Sequence, residues 1–428
     1  MSDLPSPSLS AAPYREPAGP APDEGYLRRL LVFLSVATFF EGYDMFALAQ
    51  ILPNLRRDFH ISPEAAGVLL ACINAGTVIA YLLIRVADRI GRRRVLSITI
   101  VGYTLASLAS AASPNAVVFG LLQCIARVFL IGEWTIAMVI AAEEYPAARR
   151  GTVIGILQAC SSLGGIACAG LVPLMLKSPI GWRLVFVVGA VPLGIMAYAR
   201  RGLKETRRFE EAHAATATTP APVQGDIFAV LRTKHLKRIL QMAVIWFLSY
   251  VCTQNAITFW KEFAVSERHF TDAQVGGAIT VAAVVSMPLV FLAGKLLDVV
   301  GRKRGAVIIY GVLSAGVFAA YTLQGRGALT GALVLAVFGC SAFLPVLNAF
   351  TTELFPTEYR ADAFAWSNNL LGRIGYVLSP PLVGYFAARH GWGPTVAATA
   401  VFPLLALGLI LALLPETSGR ELEETAGM

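Results

Sequence analysis

Asp88-Arg89-Ile90-Gly91-Arg92-Arg93-Arg94, followed by Glu144-Tyr145-Pro146 and Arg150, returns later in the chain. There it reads Asp298-Val299-Val300-Gly301-Arg302-Lys303-Arg304, followed by Glu353-Leu354-Phe355-Pro356 and Arg360. Asp298, Gly301, Pro356 and Arg360 each stand 210 positions after Asp88, Gly91, Pro146 and Arg150. Each copy fills a short polar gap between long apolar runs. A duplicated bundle of membrane helices is the organisation of a secondary transporter, in which substrate passes between two related halves. Glu416-Thr417 echoes Glu205-Thr206 at an offset of 211, so the repeat reaches the end of each half.

The surrounding composition agrees. The 428 residues are 56% hydrophobic and 14% charged, with a mean hydropathy of +0.64. That leaves too little polar surface for a soluble protein of this length. Apolar runs of roughly 18–25 residues are long enough to cross a bilayer as helices. Twelve are read, near 29–52, 66–86, 95–112, 115–142, 152–175, 184–200, 238–260, 274–297, 304–322, 328–350, 362–388 and 394–414. They are continuously apolar rather than alternating, which argues against a strand barrel. The expectation is an all-α integral membrane protein, with twelve transmembrane helices in two pseudo-symmetric six-helix halves, 29–200 and 238–414. Residues 1–28, rich in Pro, Ala and Ser, read as a disordered tail without the order of a cleaved signal peptide. Residues 201–237 read as the cytoplasmic linker between the halves, and 415–428 as a C-terminal tail.

The net charge of +8 does not point to nucleic acid, because no basic stripe alternates with aromatics. About 25 of the 35 Lys and Arg fall on one side if the N-terminus is inside, which places both termini in the cytoplasm. All six cysteines lie within apolar runs without a metal or redox spacing, so no metal or cofactor is expected.

With these residues in view, the chain resembles the major facilitator superfamily over about 29–424. The family's Gly-x3-Asp-(Arg/Lys)-x-Gly-(Arg/Lys)-(Arg/Lys) loop matches Asp88 to Arg93, with Ile84 at the leading Gly. The second copy keeps that Gly as Gly294 and has Val299 at the basic position. Within the superfamily the chain looks like the sugar and other transporters and the metabolite:proton symporters. Gly42-Tyr43-Asp44, Arg127, Glu144-Tyr145-Pro146, Arg149-Arg150-Gly151 and Pro415-Glu416-Thr417 resemble the former, and Gly132-Glu133-Trp134 the latter. The seventh-helix Gln-Gln-x-Ser-Gly-x-Asn of sugar porters is absent; Gln254-Asn255-Ala256-Ile257-Thr258 stands there. The resemblance implies a central cavity lined mainly by the first, fourth, seventh and tenth helices.

Charge inside a bilayer costs a few kcal/mol per residue, so intramembrane charges are functional candidates. Glu41 and Asp44 fall three apart on one face of the first helix, Arg127 and Glu133 on the fourth, Arg373 on the eleventh. Asp44, with Arg127 as partner and Glu41 beside it, is the candidate for proton coupling; the alternative is a permanent structural pair. Arg373 is the candidate for a substrate carboxylate, since its planar fork matches an anion; the alternative is a helix–helix bond, to Glu133 or a backbone carbonyl. Glu133, Gln158, Gln254, Asn255, Asn348, Asn368 and Asn369 either orient a small polar ligand or bond between helices. Asp88, Arg89, Gly91, Arg92, Arg93, Glu144 and Arg150, with Gly294, Asp298, Gly301, Arg302, Lys303, Glu353 and Arg360, form two gating motifs. Their basic residues can pair with Glu144 and Glu353 and lock one state, or serve only as inner-side anchors.

No HExxH, GxSxG or phosphate-cradling loop is present, so an enzyme is not expected. The leading expectation is proton-coupled symport of a small organic acid by a monomer in a bacterial inner membrane, with substrate and protons as partners. A sugar or polyol symporter, an exporter and a membrane nutrient sensor stay open.

Overall fold

The computed structural model describes residues 24–190, 228–356 and 358–418, without the side chains of 82–90, 147, 148 and 229. Every regular element among the described residues is helical. The first half contains α1 (Glu24–Asp58), α2 (Pro63–Ile90), α3 (Arg92–Ala111), α4 (Ala116–Glu144), α5 (Ala147–Met175) and α6 (Arg183–Gly189). The second contains α7 (Leu236–Thr258), α8 (Trp260–Ser266), α9 (Asp272–Val300), α10 (Arg302–Thr322) and α11 (Arg326–Glu353). It continues with α12 (Arg360–Phe364), α13 (Ile374–His390), α14 (Trp392–Ala398) and α15 (Val401–Leu413). Among the described residues, ten stretches are long and apolar enough to span a bilayer.

The other two expected spans differ. Of 184–200, α6 covers the start, and 191–200 lie outside the described residues. The run 362–388 is not one α-helix: α12 passes into a π-helical stretch, Ala365–Gly372, before α13. Hydropathy is blind to this change, because a wider turn alters hydrogen-bond spacing and not composition. Helix α1 starts at Glu24, inside the expected tail, and runs past residue 52 to Asp58. Its last turn carries Arg56 and Arg57, which end an apolar window yet suit a helix C-terminus. The expected linker is shorter at its far end, since a turn at Ala229–Arg232 leads into α7 at Leu236; residues 201–227 lie outside the described ones.

The repeated motif makes the same sharp turn twice. Gly91 (φ 104°) joins α2 to α3, and Gly301 (φ 92°) joins α9 to α10. A side chain resists such positive φ, which is why both copies need glycine there.

The halves meet at the opposite end of the bundle, where α2 packs on α13, α5 on α9 and α1 on α8. Backbones touch there: a Cβ on Gly384 would sit 2.5 Å from the Pro63 carbonyl oxygen, and one on Gly276 2.7 Å from that of Ala169. Small residues permit such approach where lipid offers no hydrophobic drive for helix pairing. An ion pair between Arg56 and Glu262 and another between Arg389 and Glu64 (3.0 Å) close this end.

The apolar core is continuous through the second half and across the closed end. In the first half it is broken. One cluster (Leu34, Ile136, Ile140, Leu157) lies toward the motif end, and a small one (Tyr103, Ala126, Leu130) stands apart. The break lies where the buried charges are.

Candidate functional site

In the first half, Glu41, Asp44, Arg127 and Glu133 are all under 10% exposed. The i, i+3 spacing of Glu41 and Asp44 turns both inward from α1. Asp44 accepts a hydrogen bond from the Tyr103 hydroxyl of α3, while its Oδ1 has no hydrogen-bond partner. Glu41 Oε2 accepts from Ser161 Oγ of α5 at 2.7 Å. Glu133 lies within electrostatic reach of both carboxylates. Arg127 Nη1 lies 2.6 Å from Met45 Sδ, and its charge is felt by Asp44, Glu41 and Tyr103. The expected Asp44–Arg127 pair is therefore not a direct contact in this conformation. Tyr103 occupies the bonding position, and the guanidinium stands off. Tyr103 and Ser161 were missed from sequence because a lone hydroxyl in an apolar run carries no periodic signal.

In the second half, the π-helical turn organises the site. Arg373 N donates to Asn368 O at 2.9 Å, the wide-turn bond that ends this stretch. Asn368 Oδ1 accepts from the Tyr250 hydroxyl of α7 at 2.7 Å. Arg373 lies beside Tyr250 and Tyr376, and its Nε has no hydrogen-bond partner. It is not bonded to Glu133, the alternative the sequence left open. Aromatic rings surround it: Tyr250 and Tyr376 have centroids 4.5 Å apart, and Phe343 meets Tyr250 edge-on at 5.8 Å. Trp246 stacks obliquely on Tyr250 and donates to Thr351 at 3.2 Å.

Tyr376 joins the two half-sites. Its ring region feels both Arg373 and Arg127, and its carbonyl accepts from Asn74 Nδ2 of α2 at 3.0 Å. That carbonyl is free because Pro380, four residues on, has no N–H to donate.

The remaining candidates scatter. Asn255 is wholly buried; its Nδ2 donates to Val251 O of its own helix at 2.6 Å, and its Oδ1 has no hydrogen-bond partner. The amide nitrogen thus bonds helix backbone, as short polar side chains do within helices. Gln254 donates to Thr258 on the same helix at 3.2 Å. Gln158 and Asn348 are exposed, and Asn369 is half-buried.

At the motif end, Arg302 Nη2 donates to Glu353 at 2.9 Å and Nη1 to Asp298 at 2.8 Å. Thr417 also donates to Glu353. Glu416 accepts from the backbone N–H groups of Arg302 and Lys303 at 2.9 Å, capping α10. In the first copy Arg92 donates to Glu143, the neighbour of the expected Glu144, at 3.3 Å. Arg150 and Arg360 each donate to the carbonyl five residues earlier, Tyr145 and Phe355. The Arg92–Glu143 and Arg302–Glu353 ion pairs each stay within one half rather than crossing between halves. The side chains of Asp88 and Arg89 lie outside the described ones.

A family model described as Major Facilitator Superfamily matches residues 34–264 and 242–427. The gallate transporter of Pseudomonas putida is 27% identical over 439 residues, covering 93% of this chain and 94% of its own. The cis,cis-muconate transport protein of Acinetobacter baylyi is 25% identical over 385 residues, covering 87% and 91%. The xylose transporter XylE from E. coli, in an inward open conformation, superposes with a TM-score of 0.72 at 20% identity, covering 94% and 99%.

Proposed function

The chain belongs to the Major Facilitator Superfamily and is a multi-pass membrane transporter, not an enzyme; from that premise we propose that it is a proton-coupled symporter of a small planar organic acid. The observation that carries this is the division of charge across the interface. One half buries three carboxylates and a guanidinium, and the other presents Arg373 among aromatic rings, with Tyr376 between Arg127 and Arg373.

Each part suits one task. A carboxylate group of the substrate fits the free edge of Arg373, and a flat unsaturated body fits the faces of Tyr250, Tyr376 and Phe343. Two relatives bear the names of gallate and muconate transporters, which are acids of that shape. Asp44, with one oxygen unbonded, takes the proton. Neutralising it removes the pull on Arg127, whose charge then acts toward Tyr376 and an anion beside it. Proton and anion thus enter together, each lessening the cost of the other in a low dielectric.

The halves are shut at the end opposite the motifs, so the site opens toward the motif end. The positive-inside distribution supports reading that end as cytoplasmic, with both termini inside. Opening the other way requires Arg56 to leave Glu262, α2 to leave α13, and the motif turns to approach one another.

The test is the external pH of lightly buffered proteoliposomes as gallate, muconate, nicotinate and xylose are added, with an Asp44→Asn control. Alkalinisation with the acids, lost in the variant, is expected. Alkalinisation with xylose alone, or an unchanged response in the variant, refutes the proposal.

A further inference from the structure

On the second half's lipid-facing side, α7, α13 and α14 enclose a groove of about 670 Å³. Its lining is nearly all apolar and runs along α13 from Leu378, near Phe247, to Phe386 and His390 at that helix's C-terminal end. From Leu378 to His390 the groove follows about twelve residues of α13, roughly 18 Å at 1.5 Å per residue. One leaflet of hydrocarbon is about 15 Å deep. The groove is therefore as long as a leaflet and opens at the end opposite the repeated motifs.

A second hollow of about 750 Å³ adjoins the groove at its His390 end, sharing His390, Pro394 and Ala398 with it. Arg268 lines it. The guanidinium rests 4.9 Å from the Phe263 ring centroid, its Nε has no hydrogen-bond partner, and it forms no ion pair among the described residues. The nearby Glu267 is already engaged, accepting from the N–H groups of Trp392 and Gly393. Arg389 is engaged with Glu64. A leaflet-deep apolar groove thus ends at an uncommitted cation at interface depth.

We infer that this groove holds one acyl chain of an anionic phospholipid, with its phosphate against Arg268 and His390. The site lies within one half and away from the charged interface, so it is independent of the transport cycle proposed above.

Native mass spectrometry of protein given equal amounts of phosphatidylglycerol and phosphatidylethanolamine tests it. The unaltered chain should retain phosphatidylglycerol about five-fold more, the worth of one cation at a charged surface. Arg268→Gln should bring the two lipids to parity. Ala398→Trp, which fills both hollows, should lower retention of each; Leu382→Trp repeats that test from α13. Melting curves check that each variant is folded. Equal retention by the unaltered chain, a preference surviving Arg268→Gln, or undiminished lipid in folded Ala398→Trp and Leu382→Trp overturns the inference.

Discussion

The two halves share their loop motif and differ in what they bury. At the 210-residue offset, Glu41 corresponds to Val251, Asp44 to Gln254, Arg127 to Val337 and Glu133 to Phe343; Arg373 corresponds to Leu163. Every intramembrane charge of the site has an uncharged counterpart. The turn glycines, the paired Arg302–Glu353 and the Arg150 and Arg360 carbonyl bonds recur because both halves need the same hairpins. The first half interrupts its core with charges, and the second keeps a continuous core with Arg373 beside it. Repetition preserved the scaffold, and chemistry entered where the repeat diverged.

That contrast can be broken most directly at its acid. Asp44→Asn should abolish uphill accumulation while leaving substrate exchange intact, measured by counterflow in proteoliposomes without a proton gradient. If Asp44→Asn still accumulates substrate, the first half is not where the proton binds. Arg373→Ala should weaken substrate binding by about 10–100-fold, the value of a charge-assisted hydrogen bond. Arg373→Lys should recover part of it, because a point charge lacks the planar fork. Equal affinity in all three proteins would remove the second half's claim to the anion.

The closed end sharpens the comparison, since there the halves act on one another. Burial pushes the Glu262 carboxyl above its ordinary range, and Arg56 pulls it back only in part. The Arg56 contact needs the ionised form, so it holds above that raised value and weakens as pH falls through it. Glu262→Gln should therefore mimic acid, raising labelling of a cysteine introduced beneath the pair by about ten-fold if 1.4 kcal/mol of closure is lost. Labelling that is identical in the variant and insensitive to pH would show that this end stays shut without the Arg56–Glu262 pair.

The smallest effect should come from Glu416. Burial alone would raise its carboxyl, yet backbone N–H groups of Lys303, Ser418, Arg302 and Thr417 hold it below the ordinary range. A lowered carboxyl contributes stability that is present above the unfolded value and lost as pH falls through the folded one. Glu416→Ala removes a cap worth about 1 kcal/mol, which in a chain this long moves the melting temperature by about 1–2 °C. A larger shift would mean that the tail does more than cap α10.

Much of this was legible before any coordinates. The membrane class, the duplicated halves, the turn glycines and the five intramembrane charges follow from hydropathy, spacing and the cost of charge in lipid. Such signals survive in one dimension because burial in a bilayer penalises each residue independently of its neighbours. The partners did not follow. Tyr103 on Asp44, Ser161 on Glu41, Tyr376 between Arg127 and Arg373, and Asn255 turned back on Val251 depend on how helices far apart in sequence rotate against one another. The π-helical turn before Arg373 and the closed end at Arg56 and Glu262 are likewise properties of packing. Sequence alone determined which residues had to be sheltered or paired, since that is a matter of solvation. Tertiary structure decided which hydroxyl, ring or guanidinium met each one, since a hydrogen bond needs its donor within about 3 Å.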